Sequence, residues 1–384
     1  MPVPVLTFVP LAGFLGAGKT TTLISAAVAL QRSGRRVAAI TSDQGLDLVD
    51  TQLARGALDE VAEVAGGCFC RRFDQLATLV GDLAESGRAD IVLAEAVGCC
   101  SDLHSTVLHP LREYFGPRIA VAPLTVVVDP ARLAAFPSHQ RQEGGARCPK
   151  LCALFHRQLA EADVLALNKI DLLGPERTAE LAGRLAASHP GAAVLPFCAV
   201  SGRGLDTLLA RLLPRRRSTQ PESAPRRRAG QGQDHGENHR FAPAGAKLAG
   251  MNQAFQVRAS GTVFDALTWG GAALRHLSDW CARNDVMLGH AKVTVRTAAG
   301  MAKLSVTGAG LVPRADRTAA GPVGLGAATV NVRAACRPAA LGAAVSSAVQ
   351  AADSVAGTST SAAAHVPFEA ECPGRFHLTS TAVS

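Results

Sequence analysis

The sequence predicts an α/β fold, a domain with a mostly parallel sheet followed by a smaller C-terminal α+β domain. Three observations carry that prediction. An apolar run over residues 3–9, a loop reading Gly13-Phe14-Leu15-Gly16-Ala17-Gly18-Lys19-Thr20 and a helix-like stretch over residues 21–30 follow one another directly. Short apolar runs then recur at residues 37–41, 89–94, 124–128, 162–167 and 193–197, several separated by helix-like stretches, which is the alternation of a parallel sheet. Beyond residue 250 the order changes to one helix-like stretch followed by neighbouring strands, the pattern of a separate α+β module.

Each element can be justified in turn. The strand, glycine loop and helix at the start form a phosphate loop of the pattern Gly, four residues, Gly-Lys-Thr, so the first domain is a phosphate-loop NTPase domain. Its glycines let backbone N–H groups turn inward around a polyphosphate, and the helix N-terminus adds partial positive charge. Gly13, Gly16, Ala17, Gly18 and Thr21 shape that cradle, Lys19 reaches the outer phosphates, and the Thr20 hydroxyl is a ligand for Mg²⁺. The run at 37–41 ends in Ser42-Asp43, which puts Asp43 at the carboxyl end of a strand, placed to face Mg²⁺ or the attacking water; an N-cap for the next segment is the other reading. Residues 46–62 read as helix-like.

Gly66-Gly67-Cys68-Phe69-Cys70 is a tight turn with two soft thiolate ligands, an incomplete site for a metal that takes four. A helix-like stretch over 74–85 leads to the strand ending in Glu95, the acid that usually partners a phosphate loop at Mg²⁺. Gly98 lets the backbone approach the terminal phosphate, and Cys99 and Cys100 follow it at once. The run at 162–167 ends in Asn168-Lys169-Ile170-Asp171. There Asp171 can accept from the N1–H and 2-amino group of guanine, Lys169 packs over the base, and Asn168 braces the loop. Cys198-Ala199 heads a small loop that closes over the base, with cysteine where serine is more usual. A helix over 205–213 ends the domain.

Composition narrows the partners. At 384 residues there is room for two cores, built mainly from Ala, Leu and Val because aromatics are only 4%. Much of the net charge of +8 sits in Arg215 to Arg217 and Arg226 to Arg228, without interleaved aromatics; this reads as a basic, flexible linker over 214–250 and not as a nucleic-acid surface. Two histidines, His235 and His239, lie in that polar linker. The ten cysteines form no disulfide framework, and the phosphate loop begins too early for a secretory leader, so the expected compartment is the cytoplasm. Every apolar run stops well short of the roughly 20 residues of a membrane span. The second domain, over 251–355, offers no catalytic constellation, and Asp265, His276, Asp279 and His290 read as surface residues. Residues 356–384 read as a flexible tail.

The motifs at 13–21, 66–70, 95–98 and 168–171, taken together, resemble the CobW-like family of metal-chaperone GTPases, phosphate-loop GTPases of metalloenzyme and cobalamin maturation. That resemblance covers most of residues 1–213 and, more loosely, the C-terminal domain. It implies slow GTP hydrolysis coupled to delivery of a metal, often Zn²⁺ or Co²⁺, to a metal-dependent client protein, with GTP/GDP and Mg²⁺ as cofactors and a homodimer as a further expected assembly. It implies Lys19, Asp43 and Glu95 as the catalytic set and Thr20 with Glu95 as the Mg²⁺ ligands. The family carries a Cys-x-Cys-Cys metal motif, whereas here Arg71 occupies the third place, and either Cys100 or a side chain from the linker completes the set with Cys68 and Cys70, or metal binding is weakened or lost. A GTPase that assists a corrinoid or methyltransferase system without carrying metal, and a non-enzymatic metal buffer or nucleotide-dependent interaction module, are the competing readings.

Overall fold

The computed structural model describes residues 6–43, 58, 60–65, 67–136, 149–213, 249–318 and 321–369. Residues 46–57 of the expected helix, Gly66, the linker through 248 and the tail beyond 369 lie outside the described residues.

Strand β1 (Leu6–Ala12) is the centre of the first sheet, and its sequence says why. Leu6, Phe8 and Ala12 enter one apolar core while Val9 and Leu11 enter the other, so it must be covered on both faces. Around it lie β2 (Val37–Asp43), β3 (Glu60–Ala65), β4 (Ile91–Glu95), β5 (Ile119–Val121), β6 (Thr125–Val128), β7 (Val164–Leu167) and β8 (Ala193–Pro196). Their order is β3-β2-β4-β1-β6-β7-β8, with β5 pairing to β1, and every pairing is parallel. The sheet therefore grows outward from β1 in both directions, which makes the carboxyl end of β1 the natural ligand site.

Helices α1 (Lys19–Arg32), α2 (Phe73–Ser86), α3 (His109–Phe115), α4 (Pro130–Ala135), α5 (Pro149–Glu161), α6 (Pro175–Ser188) and α7 (Leu205–Leu212) cover the two faces. In α1, Leu23, Ala26, Ala27 and Leu30 recur at helical spacing and pack with Phe197 and Leu208. Burying Leu23 completely contributes about 2 kcal/mol. One expectation is corrected here: the helix-like reading of 46–62 ends instead in β3, where Val64 faces one core and Val61 packs against the other, a period of two that β-branched residues favour.

The C-terminal domain is an antiparallel sheet with helices on one face only. It contains β9 (Ala249–Ala259), α8 (Ala266–Arg283), β10 (Leu288–Thr297), β11 (Gly300–Val306), β12 (Arg314–Arg317), β13 (Leu325–Ala334), α9 (Pro338–Ala356) and β14 (Thr358–Glu369). The order is β12-β11-β10-β13-β9-β14, which is a split β-α-β arrangement of the ferredoxin-like kind with the β11–β12 hairpin added at one edge. Trp269, Leu277, Val293, Val330 and Val345 meet in its core. The expected tail from 356 is also corrected, because residues 358–369 pair along β9. Asp353 of α9 fixes the entry to that strand: it accepts from Thr358 Oγ1 at 2.5 Å, Thr360 Oγ1 at 2.6 Å, Thr360 N at 3.1 Å and Trp269 Nε1 at 3.0 Å. Among the described residues no helix is long and apolar enough to cross a membrane.

Candidate functional site: a cleft between the phosphate loop and the C-terminal sheet

The loop between β1 and α1 takes its shape from its glycines. Gly13 (φ 135°) passes so close to β6 that an added Cβ would lie 2.3 Å from the Val127 carbonyl oxygen. Gly18 (φ 96°) would place one 2.4 Å from Asn168 Nδ2. Only glycine satisfies both the left-handed backbone and the close approach. Phe14 anchors the loop in an aromatic cluster, edge-on to Phe136 and Phe155 at 5.3 and 5.8 Å. Lys19 is buried and donates to the Phe14 carbonyl at 3.4 Å, spanning the loop where an outer phosphate would sit. Thr20 Oγ1 donates to Glu95 Oε1 at 2.9 Å, both side chains buried, so the motifs on β4 and on the phosphate loop meet.

The base end is held as tightly. Asn168 Nδ2 donates to the Ala17 carbonyl at 2.9 Å and its Oδ1 accepts from Ala199 N at 3.0 Å, which staples the phosphate loop to the loop after β8. Lys169, in a left-handed backbone (φ 60°), donates to Gly16 O at 2.8 Å and to the buried Asp129 Oδ2 at 2.7 Å. Asp171 stands at the rim, with Cys198 Sγ 3.1 Å from Oδ1 and Arg314 Nη2 3.0 Å from Oδ2. Burial opposes ionisation of Asp171, but the hydrogen bonds from Cys198 and Arg314 outweigh it and hold the carboxyl below its usual range.

A cavity of about 340 Å³ joins these groups, lined by Gly16, Gly18, Lys19, Thr20, Thr21, Glu95, Gly98, Asn168, Lys169, Asp171, Cys198 and Ala199. Gly13 and Ala17 shape the loop from beneath without lining the cavity. Asp43 ends β2 two residues beyond Thr41, whose register partner is Glu95; its side chain lies outside the described residues, and Ser42 is the lining residue there, its hydroxyl on the Glu95 carbonyl at 2.9 Å. Among the described residues, four of the eight exposed large apolar side chains, Leu172, Val200, Leu311 and Val312, also line this cavity.

The opposite wall comes from the C-terminal sheet, which no motif announced. His290, Lys292, Lys303, Ser305, Asn331 and Arg333 line it. His290, expected at the surface, is instead buried, with Nε2 2.8 Å from Asn331 Oδ1. Arg132 of α4 ties the two domains together. Its Nη2 donates to the carbonyls of Leu288 at 2.9 Å and Gly289 at 2.6 Å, and also to that of Thr307, while the guanidinium lies over the Phe14 ring at 5.5 Å.

Beside the cleft the three thiols gather. Cys68, Cys70 and Cys100 place their sulfurs within 4.8 Å of one another, Cys68 and Cys100 buried and Cys70 half-buried. Hydrogen bonds from Cys100 and then Cys70 hold the Cys68 thiol down to about 3, against burial and with help from the Arg71 amide and charge. Hydrogen bonds with Cys68 and then Cys70, together with burial, push Cys100 well above its usual range. Within the cluster the thiolate form is therefore favoured at Cys68 and opposed at Cys70 and Cys100. Gln158 of α5 fixes the segment that brings Cys100 there, donating to Gly98 O at 3.1 Å and Cys100 O at 2.7 Å.

Fold and site define a phosphate-loop nucleotide-binding domain of the GTPase type with an antiparallel-sheet domain docked on its ligand side. Residues 7–196 match the family described as CobW/HypB/UreG, nucleotide-binding domain, so the chain carries a nucleotide-binding domain of that kind. It is 31% identical over 215 residues to the zinc chaperone CobW of Pseudomonas aeruginosa, covering 50% of this chain and 55% of that one. The zinc chaperone CobW of a Sinorhizobium species is 28% identical over 196 residues, covering 45% and 52%. The chain spans about half the length of the curated relatives it matches. Among solved structures, a zinc-bound mutant of the YjiA GTPase is 17% identical, covering 89% of this chain and 98% of that chain, with a TM-score of 0.33.

Proposed function

We propose that the chain is a GTP-hydrolysing metal chaperone in which nucleotide state governs a three-thiol metal site. The observation that carries this is the convergence of Cys68, Cys70 and Cys100, because Cys100 lies two residues after Gly98 in the loop that follows Glu95. A change at the terminal phosphate is thereby felt at a ligand. Cys100 supplies the third thiolate that Arg71 cannot, and a soft three-sulfur set suits Zn²⁺ or Co²⁺ while leaving a fourth position for a client's ligand. The relatives' description as zinc chaperones supports the same reading.

In this scheme Lys19 and the loop amides neutralise the phosphates, and Asp171 selects guanine. Asp43 positions the attacking water. Thr20 and Glu95, two buried oxygen ligands brought within 2.9 Å at the phosphate loop, fit a hard cation and would hold Mg²⁺, which supplies charge neutralisation at the phosphates. Asn168 and Lys169 keep the loops that flank the base at a fixed separation. The cargo is handed to a metal-dependent client.

The test is a titration of Zn²⁺ and Co²⁺ into the full chain with GTP or GDP present. Binding should be nucleotide-sensitive, weaker by about tenfold or more in Cys100→Ser, and uncoupled from nucleotide in Lys19→Ala, which should also lose GTP turnover. Equal metal affinity in Cys100→Ser would remove the cluster from the reading.

A further inference from the structure

The helix-free face of the C-terminal sheet is polar and charged, yet much of it is buried. On β10, His290 and Lys292 stand on this face while Ala291, Val293 and Val295 enter the domain core. On β11 and β13 the same alternation presents Lys303 with Ser305 and Asn331 with Arg333. His290, Lys303, Asn331 and Arg333 are all buried. A sheet exposing this face to water would have no reason to place two cations there at such depth, since burying a charge requires a compensating partner.

What faces them is the phosphate loop. An added Cβ on Gly16 would meet Thr307 Cγ2 at 2.8 Å and Gly289 O at 3.2 Å, and one on Gly289 would meet Leu15 Cδ1 at 2.9 Å and Arg333 O at 3.1 Å. The loop tip is therefore seated against the start of β10 and the residue after β11. Among the described lining residues six Lys or Arg stand against three carboxylates, Lys169 being further paired with Asp129, and four of those six cations, Lys292, Lys303, Arg314 and Arg333, come from the C-terminal domain. The wall is also graded. Arg314 pairs with Asp171, and Lys303 lies 4.0 Å from Asp316, both on the β11–β12 side next to the apolar Leu311 and Val312, where a purine would lie. Lys292 and Arg333 line the cavity from β10 and β13, the Arg333 guanidinium passing over Gly250 of β9.

We propose that Lys292 and Arg333 are phosphate-binding residues and that the C-terminal sheet is the second wall of the nucleotide site, bridged to the phosphate loop by a nucleoside triphosphate. This rests on reading the cleft as a GTP site. An excess of positive charge in a narrow cavity suits a polyanion, and charge-assisted hydrogen bonds from both walls strengthen each other in such surroundings. Loss of the terminal phosphate removes part of the bridge, so hydrolysis loosens the C-terminal domain from the phosphate loop.

Calorimetric titration of the full chain with GDP and with a non-hydrolysable GTP analogue, both with Mg²⁺, tests this in Lys292→Met, Arg333→Met and Asp171→Asn. Each of the first two should weaken the triphosphate about tenfold or more and the diphosphate less, and Lys292→Arg and Arg333→Lys should restore much of the loss. Asp171→Asn should weaken both nucleotides alike. Unchanged affinities in Lys292→Met and Arg333→Met, or equal losses for GDP and the analogue that charge-retaining variants fail to rescue, would overturn the proposal. Wild-type protein that binds neither nucleotide would instead overturn the GTP reading on which it rests.

Discussion

In the proposed scheme Asp171 carries the choice of base, and its surroundings give that choice a competitor. A guanidinium presents adjacent N–H donors much as the N1–H and 2-amino group of guanine do, and Arg314 already holds one Asp171 oxygen at 3.0 Å. Guanine must displace it. Arg314→Ala is expected to raise GDP affinity several-fold, whereas Asp171→Asn should lower the preference for GDP over ADP by about tenfold or more; fluorescence titration with both nucleotides reads the two effects. A fall in GDP affinity for Arg314→Ala would mean that the arginine supports the base and does not compete with it. At this scale the motif residues were legible because chemistry fixes their spacing: Lys19, Thr20, Glu95, Asn168 and Asp171 all line one cavity. Asp129, the buried partner of Lys169, was not, because nothing in a local pattern relates residues 40 positions apart.

Among the elements, the C-terminal end of α5 controls the loop that bears Cys100. Glu161 accepts from Leu103 N at 2.9 Å, and burial pushes its carboxyl up from 4.5 to about 7, with that amide hydrogen bond opposing. A folded-state value above the unfolded one means that the native protein holds the proton more tightly. The stabilisation is therefore complete below about pH 4.5 and is lost as pH rises through about 7. The loss is on the order of 3 kcal/mol at most. Urea unfolding between pH 5 and 8 should show wild type losing stability relative to Glu161→Gln, whose side chain stays neutral; parallel curves would contradict the assignment. Elements built from large apolar residues were legible, as β1, β6 and β7 show. The strands β9 and β14 were only partly legible or missed because Ala, Gly, Ser, Thr and Asn give little contrast between faces, and β12 because Arg-Ala-Asp-Arg is a charged edge. Alternation in β10 marks a half-buried strand, but it does not say whether water or another domain covers the polar half.

For the whole molecule, the junction between domains turns on Arg132. Its guanidinium is buried, its pKa lowered by that burial with Asp129 opposing, and it gathers three carbonyls from the start of β10 and the residue after β11. Arg132→Ala leaves those carbonyls without their donor and opens space beside Phe14. The expected result is separation of one thermal transition into two, with a larger radius of gyration by small-angle scattering; a single unshifted transition would show that the domains hold together without it. Truncating one partner of a buried, hydrogen-bonded charge commonly costs about 2–5 kcal/mol. Two-domain architecture was visible in the change of pattern near residue 250, but the docking was not, because it is made by backbone carbonyls that every sequence possesses.

The one-sided placement of α8 and α9 has a mechanical consequence. Each domain builds its own apolar core, the first around β1 and the second between its sheet and its two helices, with Met287 and Ala335 of the second packed against the core of the first. Beyond those contacts and Leu15 against Gly289, what they share is a seam of carbonyls, cations and hydroxyls. Parting such a seam exposes groups that water solvates well, so it forfeits little hydrophobic area. A nucleotide enclosed between two walls needs a way in and out, and here the wall itself can serve as the door.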